Sequence, residues 1–378
     1  MSYYLLPSKN TPIEISLLTT ESPTFASHVS PSLEYHKEFI KDQLEVANEE
    51  MKYLDTSYSL DFFQQSINPY EYIFTKVPGT KFSVGKMKPQ SPSFYVFFEM
   101  INILNLFDAF QHRNIKTFLH GTNAKSMNDC IDILRENYHD AHADFHELTS
   151  SSNLFRSIDF LYFEFEEKIF NETKFCVKQI ISFLITVLQF QSENGITVVK
   201  IPSISYKPIL DMIYIMTSLY EKIYIIKPNA SDLFDSEKFL VCKNYNFSLE
   251  TIQYYLQELY SILESTSVEI SIESFVKKAL PYYFLTKIEE ANIIIGHQQL
   301  EIVEQMINLI KNKNREEKLE SLKKNNIQKC IQWCEKYKIP YNKFSDKVNI
   351  FLNSSSVAEG SNEKFDDAIL DDESLLYS

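Results

Sequence analysis

Glycine is scarce in this chain, with 6 in 378 residues. That weighs against a protein built on glycine-rich phosphate loops, whose backbones must turn tightly and approach a ligand closely. The familiar chemistry signatures are absent as well: no P-loop, no GxGxxG, no HExxH and no GxSxG occurs. The 5 cysteines are scattered and odd in number, which points to reduced thiols in a cytosol-like compartment. Cys330 and Cys334 lie four apart on an expected helix, but no further ligands have zinc spacing, so packing accounts for them. His139, His142 and His146 (HDAHADFH) have part of a metal-like spacing that no Cys or acid completes. No metal site is expected.

Long apolar runs are missing too. The run at 180–190 (IISFLITVLQF) is too short to span a bilayer and suits a buried helix. The opening MSYYLLPSKN lacks the basic region and long apolar core of a signal peptide. A cytoplasmic protein without a membrane partner is the expectation. The net charge of -14 gives no global attraction for nucleic acid, although one face can still carry a local basic groove.

What is present is a large core. Apolar residues make up 44% and aromatics 14%, enough for one large domain with additions or for two domains. Residues 1–34 are rich in Ser, Thr and Pro and read as an extended or partly ordered lead-in. Helical periodicity follows over 33–65, an extended segment at 70–77, and a turn at Pro78-Gly79. Ser91-Pro92-Ser93 opens an apolar helix to about 110. Strands are expected at 115–120 and 158–165, with a weaker one at 142–146, and helices up to 134 and over 172–190. From 249 onward the patterns are helical, lysine- and glutamate-rich over 312–326, and they include the single Trp, Trp333. Beyond 353 the chain is Ser-, Asp- and Glu-rich and reads as an acidic disordered tail.

The stretch 196–242 is the most informative. An apolar run ends in Lys200, an amphipathic segment spans 206–220, a second run ends in Lys227-Pro228, and a polar loop leads through Ser236-Glu237 to a third run. Strand, helix, strand, loop, strand is the natural reading. Alternating strands and helices imply a mainly parallel sheet covered on both faces, with Lys200, Lys227 and Glu237 at strand ends, where open α/β sheets place their sites. Earlier in the chain, Lys81, Lys86 and Lys88 cluster in TKFSVGKMKPQ. They make either a solvated loop or a phosphate-contacting strip beside the next helix.

The block VVKI followed by KPxxSxxxxSEKFLVC resembles the C-terminal half of FtsJ-like RNA ribose 2′-O-methyltransferases. SPSFYVFFEM is similar to a helix of that family, with Ser91, Phe94, Tyr95 and Glu99 in register. NPYEYIF at 68–74 and CIQWCEKYKIPYN at 330–342 are similar to the branch found in large DNA viruses. The resemblance implies a Rossmann-like α/β methyltransferase sheet, mostly parallel with the last strand antiparallel, and helical additions at both ends. It divides the chain into an N-terminal extension at 1–88, a core at 89–248, a helical region at 249–352 and a tail at 353–378.

It also implies a Lys-Asp-Lys-Glu catalytic tetrad. Lys200 and Glu237 match two members; Val96 stands where the first Lys belongs, and Glu164 stands for the Asp. The turn that would hold S-adenosylmethionine falls on LHGTNAKSMNDC, with Gly121, Thr122 and Asn123, and keeps one glycine of a glycine-rich pattern. A lysine base needs a depressed pKa, which a neighbouring cation supplies and Val96 does not. Glu164 and Glu237 favour the charged form of Lys200 instead. The resemblance therefore implies a degenerate methyltransferase fold serving as an RNA-associated or scaffolding subunit, with no cofactor. The rivals are an active, S-adenosylmethionine-dependent RNA (cap) 2′-O-methyltransferase and an interaction protein without RNA contact. Lys81, Lys86, Lys88 and Lys227 are the RNA-binding candidates. Partners under the family reading are RNA or a viral transcription or RNA-processing complex, in host cytoplasm, viral factory or virion.

Overall fold

The computed structural model describes residues 2–9, 11–20, 31–53, 58–150, 152–165, 173–201, 204, 206–235, 237–265, 271–312 and 315–344. Ser236 and the acidic tail lie outside them. The described residues up to Asn342 form one compact unit.

One fully buried strand and its two neighbours define the centre. β5 (Ile158–Glu164) is buried at every position, as a strand covered on both faces must be. Its parallel neighbours are β3 (Lys116–His120) and the long β6 (Gln191–Ile201). A short β4 (Ala141–Ala143) extends the sheet beyond β3, also parallel. On the other side, β8 (Lys238–Tyr245) runs antiparallel between β6 and β7 (Tyr220–Lys227). With β1 (Ser2–Leu6) at one edge, the full order is β1-β7-β8-β6-β5-β3-β4, a seven-stranded and mostly parallel sheet flanked by helices. This is the arrangement expected of a Rossmann-like methyltransferase fold.

Two helical layers cover it. Tyr162 and Phe163 are adjacent on β5, so they point to opposite faces. The Tyr162 ring meets Phe97 of α3 (Ser93–Leu104), and the Phe163 ring meets Phe183 of α6 (Thr173–Phe190). α3 and α6 therefore lie on opposite sides. α4 (Ala124–Leu134) packs with α3, and α7 (Lys207–Leu219) with α6. α7 has Pro208 at its start, where a missing N–H costs nothing, and is buried from Pro208 to Leu219.

The described residues of the lead-in at 2–9 and 11–20 carry two paired, extended strands. β1 (Ser2–Leu6) pairs antiparallel with β7 at the sheet edge, Ser2 opposite Lys227. β2 (Ile15–Thr20) pairs with β9 (Ser271–Val276) in a separate two-stranded sheet. Half of β1 faces solvent, with Tyr3 54% and Leu5 53% exposed, so its composition carried little strand signal.

The segment 70–77 is also not extended. Asn68 accepts from Tyr70 N and donates to Glu71, and Thr75 bonds back to the Glu71 carbonyl, which folds 71–73 into a 3-10 turn. α3 stops at Leu104, short of the expected 110, because Asn105 takes a left-handed conformation (φ 48) and its N–H closes the helix end.

The remaining helices are α1 (Pro31–Tyr53), α2 (Leu60–Ile67), α5 (Phe145–Ser150), α8 (Leu249–Ser265), α9 (Tyr282–Ile310) and α10 (Arg315–Lys336). α9 packs on α1, α2 and β1, and α10 packs on α2 and the 71–73 turn. Among the described residues, no helix is long and apolar enough to cross a membrane.

Candidate functional site

The register of two parallel strands sets the site. Glu164 at the end of β5 lies opposite Lys200 near the end of β6. Lys200 in turn lies opposite Phe239 of β8, which brings Glu237, just before that strand, across to it. Lys200 Nζ and Glu237 Oε2 are 2.5 Å apart, with side chains 25% and 14% exposed. Of the four positions expected from the sequence to form a tetrad, three thus lie side by side. The fourth, Val96, is a buried residue of α3 that brings no charge.

Glu164 is engaged on the other side. Its carboxylate accepts from Thr122 Oγ1 at 2.8 Å, from Asn123 N at 3.2 Å, from Asn123 Nδ2 at 2.7 Å, and from the Tyr162 hydroxyl. Asn123 is fixed by Ser93 of α3, whose hydroxyl donates to its Oδ1 at 2.7 Å. Gly121 has φ +130, a conformation that side chains disfavour, and a Cβ there would lie 2.6 Å from Glu164 Cβ, Cγ and Oε2. The Glu164 side chain therefore fills the space beside the turn.

Phe163 and Phe165 do not enter this space. They turn to the α6 face, where their rings meet each other and Phe183. Tyr162 was missed in the sequence, though strand period alone puts it on the Glu164 side, two residues earlier.

The electrostatics follow from these contacts. Burial pushes the Glu164 carboxyl up, but the donors from Tyr162, Asn123 and Thr122, with the Lys200 charge, outweigh it and hold it below the ordinary value. Burial works against the Lys200 ammonium, but Glu237 and then Glu164 prevail and its pKa is raised. Glu237 is held up by burial, which Lys200 only partly offsets. Lys200 is thus a stabilised cation rather than a poised base.

The turn does not fit S-adenosylmethionine as it stands. Its hydroxyl, amide and backbone donors at Thr122 and Asn123 are taken up by Glu164, which also occupies the volume beside Gly121. No methyl-transfer step follows from this arrangement.

The loop after β7 is braced from three sides. Lys227 Nζ donates to the carbonyls of Asp235 at 2.7 Å and Glu237 at 3.1 Å. Gln299 of α9 also donates to Asp235 O, and the N–H of Ala230 donates to Glu99 of α3. Lys227 is only 6% exposed, so its place as an RNA contact is corrected: its ammonium faces the loop carbonyls, not solvent.

Glu99 is fully buried. Its Oε2 accepts from Ala230 and from the Trp333 indole, and among the described residues its Oε1 has no hydrogen-bond partner. Burial raises its pKa, and those N–H donors only partly oppose it. Nearby, Tyr70, Glu71, Tyr95, Ala230 and Asp232 line a cavity of about 430 Å³.

Lys81, Lys86 and Lys88 are exposed in the segment before α3. The three histidines do not gather with further potential ligands among the described residues. His142 bonds to Thr117 at 2.5 Å and meets Asp132 at 3.5 Å, and no group of three or more potential ligands gathers among the described residues. Cys130, Cys242, Cys330 and Cys334 are buried free thiols.

The fold is consistent with a Rossmann-like methyltransferase sheet. No protein-family model matches the chain. It is similar to the cap-specific mRNA (nucleoside-2'-O-)-methyltransferase 2 of Drosophila melanogaster, with 25% identity over 115 residues, which cover 30% of this chain and 16% of that protein. The likeness supports an RNA-methyltransferase-like relationship and no more.

Proposed function

We propose that this chain is a methyltransferase-fold protein that associates with RNA and whose catalytic end is closed. The observation that supports it most is Glu164, bonded across the 121–123 turn and packed where a cofactor would approach Gly121. The absence of a second cation at Val96 and the raised pKa of Lys200 agree with it. Such a protein presents RNA or scaffolds an RNA-processing complex without transferring a methyl group. Exposed Lys81, Lys86 and Lys88 are the contacts assigned to phosphate.

Titration calorimetry with S-adenosylmethionine tests the closed site. No heat of binding is expected, and micromolar affinity overturns the reading. Anisotropy with a labelled RNA tests association independently.

The second reading is an active RNA 2′-O-methyltransferase using S-adenosylmethionine. The paired Lys200 and Glu237 and the similarity to the Drosophila enzyme favour it. It requires methyl transfer to capped RNA that disappears in Lys200→Ala, and unchanged transfer in that variant removes it.

A further inference from the structure

We infer that the loop before α3 and the segment after α10 form one basic surface for the phosphate backbone of a single nucleic-acid strand. This rests on the RNA-associated reading above and deepens it. The sequence from 72 to 98 contains Lys76, Lys81, Lys86 and Lys88 and no acid, in a chain of net charge -14. The segment 336–342 (KYKIPYN) adds Lys336 and Lys338, again with no acid.

The fold lays these distant segments side by side. Gly85 and Tyr341 form an antiparallel bridge. Lys86 N donates to Pro340 O at 2.9 Å, Asn342 N to Val84 O at 2.8 Å, and Asn342 Nδ2 to Ser83 O at 2.9 Å. The approach depends on Gly85, where a Cβ would lie 2.7 Å from Ile73 O and 2.8 Å from Tyr95 Oη.

All six lysines are exposed, and among the described residues none of them enters an ion pair. Glu335, the acid beside the second segment, accepts from Tyr341 at 2.7 Å. Phe82, 54% exposed between Lys81 and Lys86, offers a ring on which a base can stack.

Lys338 adds a separate argument. It has φ 56 just past the end of α10, a position where glycine is the usual occupant. A lysine there carries charge at a cost in backbone strain. The surface also leads to the described site. From Lys88 the chain enters α3, whose Ser93 holds Asn123 against Glu164, opposite Lys200.

The test is anisotropy of the full chain with a short fluorescent single-stranded RNA of mixed sequence, measured across a salt series. Neutralising Lys81, Lys86 and Lys88 to Gln is expected to flatten the log–log salt slope by about 2, and neutralising Lys336 and Lys338 by about 1.4. Lys338→Gly is expected to bind more weakly while melting at a higher temperature, an outcome that a purely structural lysine does not give. If RNA binds and the Lys336 and Lys338 variant keeps the full slope, the joint surface is overturned while RNA association stands. If the wild type binds no RNA at low salt, both fall. If polyglutamate competes as well as RNA and loses binding in the same variants, the partner is an acidic protein and the assignment to nucleic acid is overturned.

Discussion

Glu164 and Lys200 face each other in register on adjacent parallel strands, yet each is held by a different partner. Glu164 is bonded to the turn at 121–123, and Lys200 to Glu237. The pair is a junction between two networks rather than a closed ion pair, and it divides this end of the sheet into separately testable halves.

The first half is the turn. Gly121→Ala is expected to destabilise the chain by about 1–3 kcal/mol, from strain at positive φ together with the clash against Glu164. Adding Glu164→Ala removes the contacts with Cγ and Oε2 but keeps the one with Cβ and the strain, so it relieves part of the clash and the double variant should be more stable than the sum of the two single losses. Urea unfolding of the four proteins measures this, and strict additivity would contradict the packing described.

The second half is the ion pair. Lys200→Met alone leaves Glu237 half-compensated in a mostly buried place, with an expected loss of about 1–2 kcal/mol, less than a fully buried pair because both groups keep some solvent. Glu237→Gln in the same chain should restore part of that loss. A double-mutant cycle by thermal unfolding gives the coupling.

Glu164 also makes stability depend on acid. Its pKa is lower in the folded chain than in the unfolded one, so its contribution is complete above the ordinary carboxylate pKa and is lost as pH falls through the folded value. Glu164→Gln should flatten the acid limb of a stability-versus-pH curve while leaving the rest in place.

Lys238 predicts the opposite limb. It is 5% exposed, and burial, with Lys227 and Lys37 adding to it, lowers its pKa to about 7. Between that value and the ordinary lysine pKa near ~10.4, the unfolded chain binds more protons, so stability rises with pH across this window. Lys238→Met should abolish the rise and stabilise the chain at and below neutrality by an amount on the order of a few kcal/mol. Urea midpoints at neutral and alkaline pH decide it.

Trp333 is the single Trp of the chain and donates its indole N–H to Glu99. Because burial raises the Glu99 pKa, the Trp fluorescence is expected to titrate above the ordinary carboxylate range near ~4.3, and stability to fall as pH rises through that window. Glu99→Gln should remove the fluorescence transition. A transition that survives in that variant would place its origin elsewhere.

The sheet was legible because its strands are apolar on both faces and its lysines and glutamate mark strand ends. IDFLYFE and TVVKI can hardly be anything but central strands. The site was legible where register alone brings residues together, as for Lys200 and Glu164. It was opaque where a side chain chooses between neighbours. Nothing local says that Glu164 reaches for Asn123 rather than Lys200, because Ser93, thirty positions earlier than Asn123, orients that amide. Lys227 reads as a strand-end cation, and only the return of the loop at Asp235 buries it. The edge strand β1 escaped because an exposed strand alternates only weakly, and its partner is remote in sequence.

That remoteness governs the order of assembly. β1 lies early in the chain, yet Ser2 has no partner until Lys227 has been made. Until then its backbone groups and the side chains of Tyr3 and Leu5 are open to other strands. The parallel centre, β3 to β6, can close earlier, and β7 must arrive before the edge is sealed. Assembly of the sheet thus runs from the middle outwards, and the interval before β7 appears is when this chain is most open to pairing with a wrong strand.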